Sequence, residues 1–395
     1  MDITLTSLEM EHSELLKAKI ASEIASQGAW IPFSRYMEMA LYEPGMGYYS
    51  AGAHKLGAGG DFTTAPELSP LFGAAICSTL LPVLEGLKEK GLPAQILEFG
   101  AGTGKLATSI LTRLNDLGFT LDRYDIIEIS PDLAQRQQER IKNTVEQLNL
   151  KTQCNWLTEL PEKFVGVMLA NEVIDAIPCD VIIFQNGFWY SYGVAFENDK
   201  LVWKSSAPVE QKLIPESLLS GNFSEGYVTE LHTPANVWMK EVAKQLEMGL
   251  FLTFDYGFPE SEYYHPQRIE GTLIAHHRHH AIQDPFYLPG LCDITTHVDW
   301  SQIAHSALAE NADDVYLTNQ GAYLLDAGIG DIALETGDPS DPETFLPISN
   351  ALQKLLSEAE MGEIFKAFAF SKNLEGLLQG HTLEDLPGLR GRNRL

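Results

Sequence analysis

Cysteine is scarce: Cys77, Cys154, Cys179 and Cys292 are the only four in 395 residues. None forms a CxxC pair, so neither a zinc framework nor a disulfide scaffold is indicated, and a reducing compartment fits. Basic residues are also few. The chain has 27 Lys and Arg against 54 Asp and Glu, a net charge of −27. Such a surface opposes non-specific nucleic-acid binding and anionic membranes, while it is compatible with a basic protein substrate. No apolar run approaches membrane-spanning length on reading the sequence, so no membrane insertion is expected. The stretch MDITLTSLEMEHSELLK lacks the apolar core of a signal peptide and is not Arg-rich like a transit peptide. The expected address is the cytoplasm.

What is present is an ordinary globular composition, 45% hydrophobic and 21% charged. It is organised around Ile96-Leu97-Glu98-Phe99-Gly100-Ala101-Gly102-Thr103-Gly104-Lys105-Leu106. This reads as a buried strand, a glycine-rich turn and the start of a helix. Glycines at alternate positions let the backbone turn sharply and approach a ligand, and the helix start favours an anionic or polar group. The dinucleotide fingerprint is Gly-x-Gly-x-x-Gly. Here the third glycine, Gly104, falls one residue early and Lys105 takes the fingerprint position. The spacing of Glu98, Gly100, Gly102 and Gly104 instead resembles the first motif of S-adenosylmethionine-dependent methyltransferases.

From residue 94 to about 170 strands and helices alternate, predicting a doubly wound α/β sheet. Strands are expected at Gln95–Phe99, Tyr124–Ile129, Cys154–Leu157 and Val165–Ala170. Ser130 with Pro131 reads as the cap and first turn of a helix carrying Leu133, Ile141, Val145 and Leu148. Glu128 ends the second strand, where a carboxylate accepts hydrogen bonds from both ribose hydroxyls and repels a 2′-phosphate. A solvated strand-end acid is the plainer alternative.

Ligands of open α/β sheets sit beyond the carboxyl ends of the strands. Asn171-Glu172-Val173-Ile174-Asp175-Ala176-Ile177-Pro178 lies at such an end. Glu172 and Asp175 would share a face if the segment turned helically, and two carboxylates there suit a cationic nucleophile. Simple helix capping by Asn171 is the alternative. The polar stretch 59–69, with Asp61, Thr64 and Glu67, is either a connector with local caps or a lid over a ligand. Residues 181–235 read as a β-rich insertion with an Asn186-Gly187 hairpin turn. Leu250–Gly257 reads as a fifth strand placing Asp255 and Tyr256 near the site. His276-His277-Arg278-His279-His280 has no partner at metal-motif spacing, so no metal site is expected.

Taken together, the segments with Tyr48-Tyr49, Gly60–Glu67, Glu98–Gly104, Asn171–Pro178, Asp255–Gly257, Asp293–Asp299 and Met361-Gly362 resemble the MidA family of S-adenosylmethionine-dependent methyltransferases. That family includes a mitochondrial protein-arginine methyltransferase assisting assembly of respiratory complex I. The resemblance implies a Rossmann-like class I methyltransferase sheet with a helical N-terminal addition and a β-rich insertion. It implies cofactor contact by Gly100, Gly102 and Gly104, with Glu98 alongside, Glu128 on the ribose, and Asp61, Thr64 and Glu67 closing over the cofactor. Asn171, Glu172 and Asp175 would line the acceptor side as the catalytic set. The histidine cluster departs from the family, where Tyr or Arg is commoner.

The expected organisation is a helical N-terminal region at 1–92 with the lid-like loop 59–69. A cofactor-binding domain follows at 93–300 with its insertion at about 181–235, and 301–395 completes the sheet. The expected activity is methylation of a protein side chain, arginine by resemblance. The alternatives are a non-catalytic adenosylmethionine-binding assembly factor and, further off, an NAD-dependent oxidoreductase. A protein substrate and a homodimer are the expected partners.

Overall fold

Helix α1 (Ser7–Ser26) starts where Thr6 and Glu9 exchange side-chain and backbone hydrogen bonds, a reciprocal cap that satisfies otherwise orphaned amides. These residues belong to a computed structural model of the chain, which describes residues 5–51, 64–278 and 280–395. Helix α2 (Phe33–Tyr42) begins before Ser34 rather than at it. Ser34 lies inside the helix and donates to Asp180 Oδ1 at 2.6 Å.

Helix α3 (Pro70–Glu89) is capped by Ser69, whose hydroxyl accepts from the Leu71 amide. By length and composition it could cross a membrane, a correction to the expectation that no segment approaches that length. Two-thirds of its apolar stretch is buried, 67%, as in the core helix of a soluble domain. Strand β1 (Gln95–Phe99), helix α4 (Lys105–Asp116), strand β2 (Arg123–Ile127) and helix α5 (Pro131–Gln147) follow. Strands β3 (Gln153–Leu157) and β4 (Phe164–Asn171) come next, then β5 (Asp180–Gln185), β6 (Phe188–Glu197), β7 (Lys200–Pro208) and β8 (Val228–Leu231). Helix α6 (Thr233–Gln245) leads into the long β9 (Leu246–Phe258). Short strands β10 (Ile274–His277), β11 (His280–Ile282) and β12 (Asp293–Thr295) precede helix α7 (Trp300–Ala309). Strand β13 (Asp314–Asn319), helices α8 (Gln320–Asp326), α9 (Ile329–Thr336) and α10 (Pro342–Leu356), and strand β14 (Phe365–Lys372) end the series.

The chain divides into two compact units, each built from discontinuous segments. One comprises 63–173, 238–257 and 303–395. Its sheet has the order β13-β14-β9-β4-β1-β2-β3. Pairing is parallel from β9 through β4, β1 and β2 to β3, and β14 is antiparallel to both β9 and β13. Strands β4 and β9 carry long apolar runs, as suits a parallel sheet covered on both faces. Ile96, Tyr124, Ile126, Val167, Leu169, Leu250, Leu252 and Phe254 join one core with Phe72, Ile76 and Leu80 of α3 and Ile110 of α4. A Cβ at Gly73 would stand 2.6 Å from Ser109 Cβ, so glycine there permits α3 and α4 to approach. Each fully buried large apolar side chain contributes about 1.5–3 kcal/mol.

The other unit comprises 1–62, 174–237 and 258–302. It contains an antiparallel sheet of order β7-β6-β5-β8 and a three-stranded sheet of order β11-β10-β12. Leu16 and Ile20 of α1 and Tyr36, Met37 and Leu41 of α2 share a core with Val181, Val194, Ala275 and Ile294. The histidine segment is not helical. His277 pairs with His280 across adjacent strands, so the i, i+4 geometry a helix would give to His276 and His280 is absent.

Candidate active site

In the first of these units, the strand order reverses between β1 and β4. Both strands run the same way, and their carboxyl ends carry Gly100 and Asn171. The crevice of a doubly wound sheet opens at such a switch point.

The glycine turn leaves β1 through three left-handed residues: Gly100 at φ +59°, Gly102 at +51° and Gly104 at +80°. Side chains rarely adopt such angles, which explains the glycines at alternate positions. The Gly100 amide donates to Ile127 O at 2.9 Å, tying the turn to β2. Gly104 is the residue preceding α4, so the first amides of that helix face the end of the turn. A Cβ on Gly102 would meet no atom within 4 Å, whereas one on Gly100 would touch Val173 at 3.1 Å. Backbone is therefore exposed at Gly102 to a close-approaching ligand.

Glu128 stands just past β2. Its Oε1 accepts from the Ser130 amide at 2.9 Å and its Oε2 from Gln137 Nε2 at 2.8 Å. Burial raises its pKa, while those hydrogen bonds work in the opposite direction. Gln137 is fully buried on α5. The same Nε2 donates to Gly102 O at 2.9 Å, and Gln137 Oε1 accepts from Trp156 Nε1 at 2.9 Å. Sequence reading missed this residue. Its signal is positional: Gln137 falls midway between Leu133 and Ile141 on the inward stripe of an amphipathic helix, where a polar side chain needs a reason.

Glu98 lies inside β1, buried, and accepts from Tyr124 Oη at 2.7 Å. Burial pushes its pKa up to about 7; the Tyr124 hydrogen bond opposes this and the nearby Glu128 adds to it. Thr64 precedes a short helical turn, Ala65–Leu68, without capping it through its side chain. Glu67, on that turn, lies 2.6 Å from Lys105 Nζ and accepts from the Thr103 hydroxyl. Burial alone would raise its pKa, but Lys105 and Thr103 together hold it below the usual carboxylate value. Asp61 lies outside the described residues.

At the end of β4, Glu172 adopts φ +53°, left-handed for a non-glycine residue. Its amide donates to Phe254 O on β9 at 2.8 Å, which fixes the departure of the chain. Asn171 Nδ2 donates to Glu172 Oε1 at 3.2 Å, while Asn171 Oδ1 is buried without a partner. Strained backbone and an unpaired buried acceptor both cost free energy, and such costs concentrate at functional sites. Residues 172–178 form bends and a turn rather than a helix, so the helical face expected to join Glu172 and Asp175 does not exist. Asp255 is buried at the end of β9 and accepts from the Tyr256 amide at 2.9 Å. The Tyr256 ring is edge-on to Phe365 at 5.4 Å.

Asp175 belongs to the other unit, where its carbonyl accepts from the Thr296 amide at 3.0 Å. Tyr49, also there, donates to Asp293 Oδ1 at 2.9 Å and stacks on Tyr42 at 5.6 Å. Burial first, then the nearby Asp293, Tyr42 and Asp175, raise its pKa well above the ordinary tyrosine value.

A parallel sheet extended by an antiparallel strand inserted beside the last, with a glycine turn after β1 and an acid after β2, defines a class I S-adenosylmethionine-dependent methyltransferase. Residues 75–317 match the family described as "Putative S-adenosyl-L-methionine-dependent methyltransferase". The chain belongs to this MidA-like family. A Burkholderia thailandensis protein crystallised with S-adenosyl-homocysteine is 43% identical, with a TM-score of 0.89, covering 99% of this chain and 98% of that one. The Drosophila melanogaster protein named Protein arginine methyltransferase NDUFAF7 homolog, mitochondrial, is 27% identical over 94% of this chain and 87% of its own length. Its Danio rerio counterpart is 28% identical over 89% and 85%.

The cofactor is S-adenosylmethionine. The residues present fit it: open space over the Gly102 backbone, and a Glu128 carboxylate oriented at the end of β2 by the Ser130 amide and Gln137. They do not fit the dinucleotide spacing, because Lys105 occupies the position of the third fingerprint glycine.

Proposed function

We propose that this methyltransferase modifies a protein side chain, and that the side chain is arginine. The observation carrying the acceptor assignment is the strained Glu172 with the orphaned Asn171 Oδ1, side by side at the end of β4. Two oxygen acceptors at one strand end suit a planar, donor-only guanidinium. The Drosophila and Danio relatives, named as protein arginine methyltransferases, support the same reading.

S-adenosylmethionine supplies an electrophilic sulfonium methyl group. Glu128 and the Gly100–Gly104 turn hold its nucleoside end in this reading, with Thr64 and Glu67 closing nearby and Glu98 beneath. Glu172 accepts guanidinium N–H groups, orients the fork and leaves one nitrogen free to attack in line. The carboxylate keeps the positive charge stabilised until a proton is lost. A cytoplasmic homodimer is part of the same proposal. It is supported by four cysteines free of disulfides and the frequency of two-fold assemblies, and sedimentation at twice 43.8 kDa tests the dimer.

The test is incubation of the purified enzyme with methyl-labelled S-adenosylmethionine and a lysate of the matching cells, followed by peptide mass spectrometry. Label on arginine of a discrete protein is the expected result. Label confined to small molecules would overturn the protein-substrate assignment.

A further inference from the structure

We propose that Gln137 is a positioning residue that aims the Glu128 carboxylate at a ribose hydroxyl of the cofactor, and so sets the selectivity of the cofactor pocket. This rests on the assignment of Glu128 to the ribose.

The argument begins with the amide itself. A glutamine side chain has two N–H donors and one carbonyl acceptor. Here both donors are used, on Gly102 O at 2.9 Å and Glu128 Oε2 at 2.8 Å. The carbonyl accepts from Trp156 at 2.9 Å. Flipping the amide would set its oxygen against two acceptors and its NH2 against a donor, so the orientation is determined. The residue is fully buried, which makes each of these bonds costly to lose.

The consequence falls on Glu128. Ser130 N–H occupies one site on Oε1 and Gln137 one site on Oε2. A carboxylate oxygen has about two acceptor sites. The Ile129 backbone N–H bonds the carboxylate as well, so of its four or so acceptor sites about one remains, open to a ribose hydroxyl. Gln137 also holds the carbonyl of Gly102, the glycine whose backbone is open to a ligand. One side chain thus couples the ribose acid to the glycine turn, with Trp156 of β3 as its brace. Leucine at this position would fill similar space but free Glu128 to rotate and strand the Gly102 carbonyl and the Trp156 N–H.

The test compares dissociation constants of S-adenosyl-homocysteine and its 2′-deoxy analogue, by calorimetry, for the full-length wild type, Gln137→Leu and Gln137→Glu. Wild type should prefer the parent by about tenfold or more, the scale of one charge-assisted hydrogen bond. Gln137→Leu should reduce that preference to about threefold or less, because the hydroxyl contact is no longer aimed. Gln137→Glu keeps the shape; its preference should be lost at pH 9, where two carboxylates face each other, and partly recovered at pH 6. A residue that merely supports the fold would weaken both ligands alike and leave the ratio intact, so an unchanged ratio in Gln137→Leu overturns the proposal. If that variant does not fold, an unchanged, pH-independent ratio in Gln137→Glu overturns it. Failure of the wild type to bind S-adenosyl-homocysteine would instead overturn the cofactor pocket itself.

Discussion

Glu172 donates its amide to Phe254 O at 2.8 Å while its own φ is +53°. The hydrogen bond to β9 keeps the residue in a conformation that costs a non-glycine side chain about 1–2 kcal/mol. Glycine would pay no such cost in the folded state. Glu172→Gly should therefore be more stable than Glu172→Ala by about 1 kcal/mol in chemical denaturation. Equal stability of the two variants would show that the backbone there is unstrained.

The glycine turn gives a second expectation. Gly102 is left-handed, and a Cβ there would project into open space. Gly102→Val should cost about 2 kcal/mol of stability through backbone strain while keeping the circular dichroism of the wild type. Calorimetric binding of S-adenosyl-homocysteine should fall by about a hundredfold or more, since the side chain occupies the approach to the backbone. Normal binding would remove this turn from the cofactor pocket.

How much of this was legible depends on the range of the forces involved. Strand β1 spans Gln95–Phe99 as its apolar run predicts, and α5 starts at Pro131 behind a Ser130 cap. Asn186 and Gly187 both have positive φ, the backbone of a two-residue hairpin turn, and Gln185 pairs with Phe188 across it. These are local signals. The placement of β14 between β9 and β13 rests on long-range pairing, which no local periodicity encodes. Residues 172–178 failed to form a helix because the Glu172 amide is taken by a strand more than eighty residues away. Gln137 was hidden for a related reason: its three partners come from the glycine turn, from Glu128 and from β3.

Glu98 carries a pH dependence with a definite sign. Its folded pKa, about 7, lies above the ordinary value of 4.5, because burial disfavours the charge. The folded state then holds this proton more tightly than the unfolded state. Stability is full below pH 4.5, falls as pH rises toward 7, and levels off above it. The loss should amount to roughly 3 kcal/mol at most. Glu98→Gln should flatten this segment of the stability profile measured by urea denaturation across pH 4 to 8. An unaltered slope would place the titration on another group.

The Glu67–Lys105 pair should matter little to stability. Both groups are partly exposed, with side-chain exposures of 28% and 36%, and such pairs contribute less than about 1 kcal/mol. Because the folded pKa of Glu67 is lowered, its contribution is present above the unfolded value and disappears as pH falls through the folded one. Lys105→Met should shift the melting temperature only slightly, and less at high salt. A large, salt-independent loss would show that the pair fixes the turn structurally.

The most direct test of the catalytic account is Glu172→Gln, which keeps the shape of the side chain and removes its charge. Calorimetry should show cofactor affinity within about twofold of the wild type. Single-turnover methyl transfer to the labelled acceptor protein should fall by about a hundredfold or more, the loss expected when an interaction made to the attacking guanidinium disappears. Undiminished transfer would remove Glu172 from the reaction and contradict the assignment of the β4 terminus to the acceptor side.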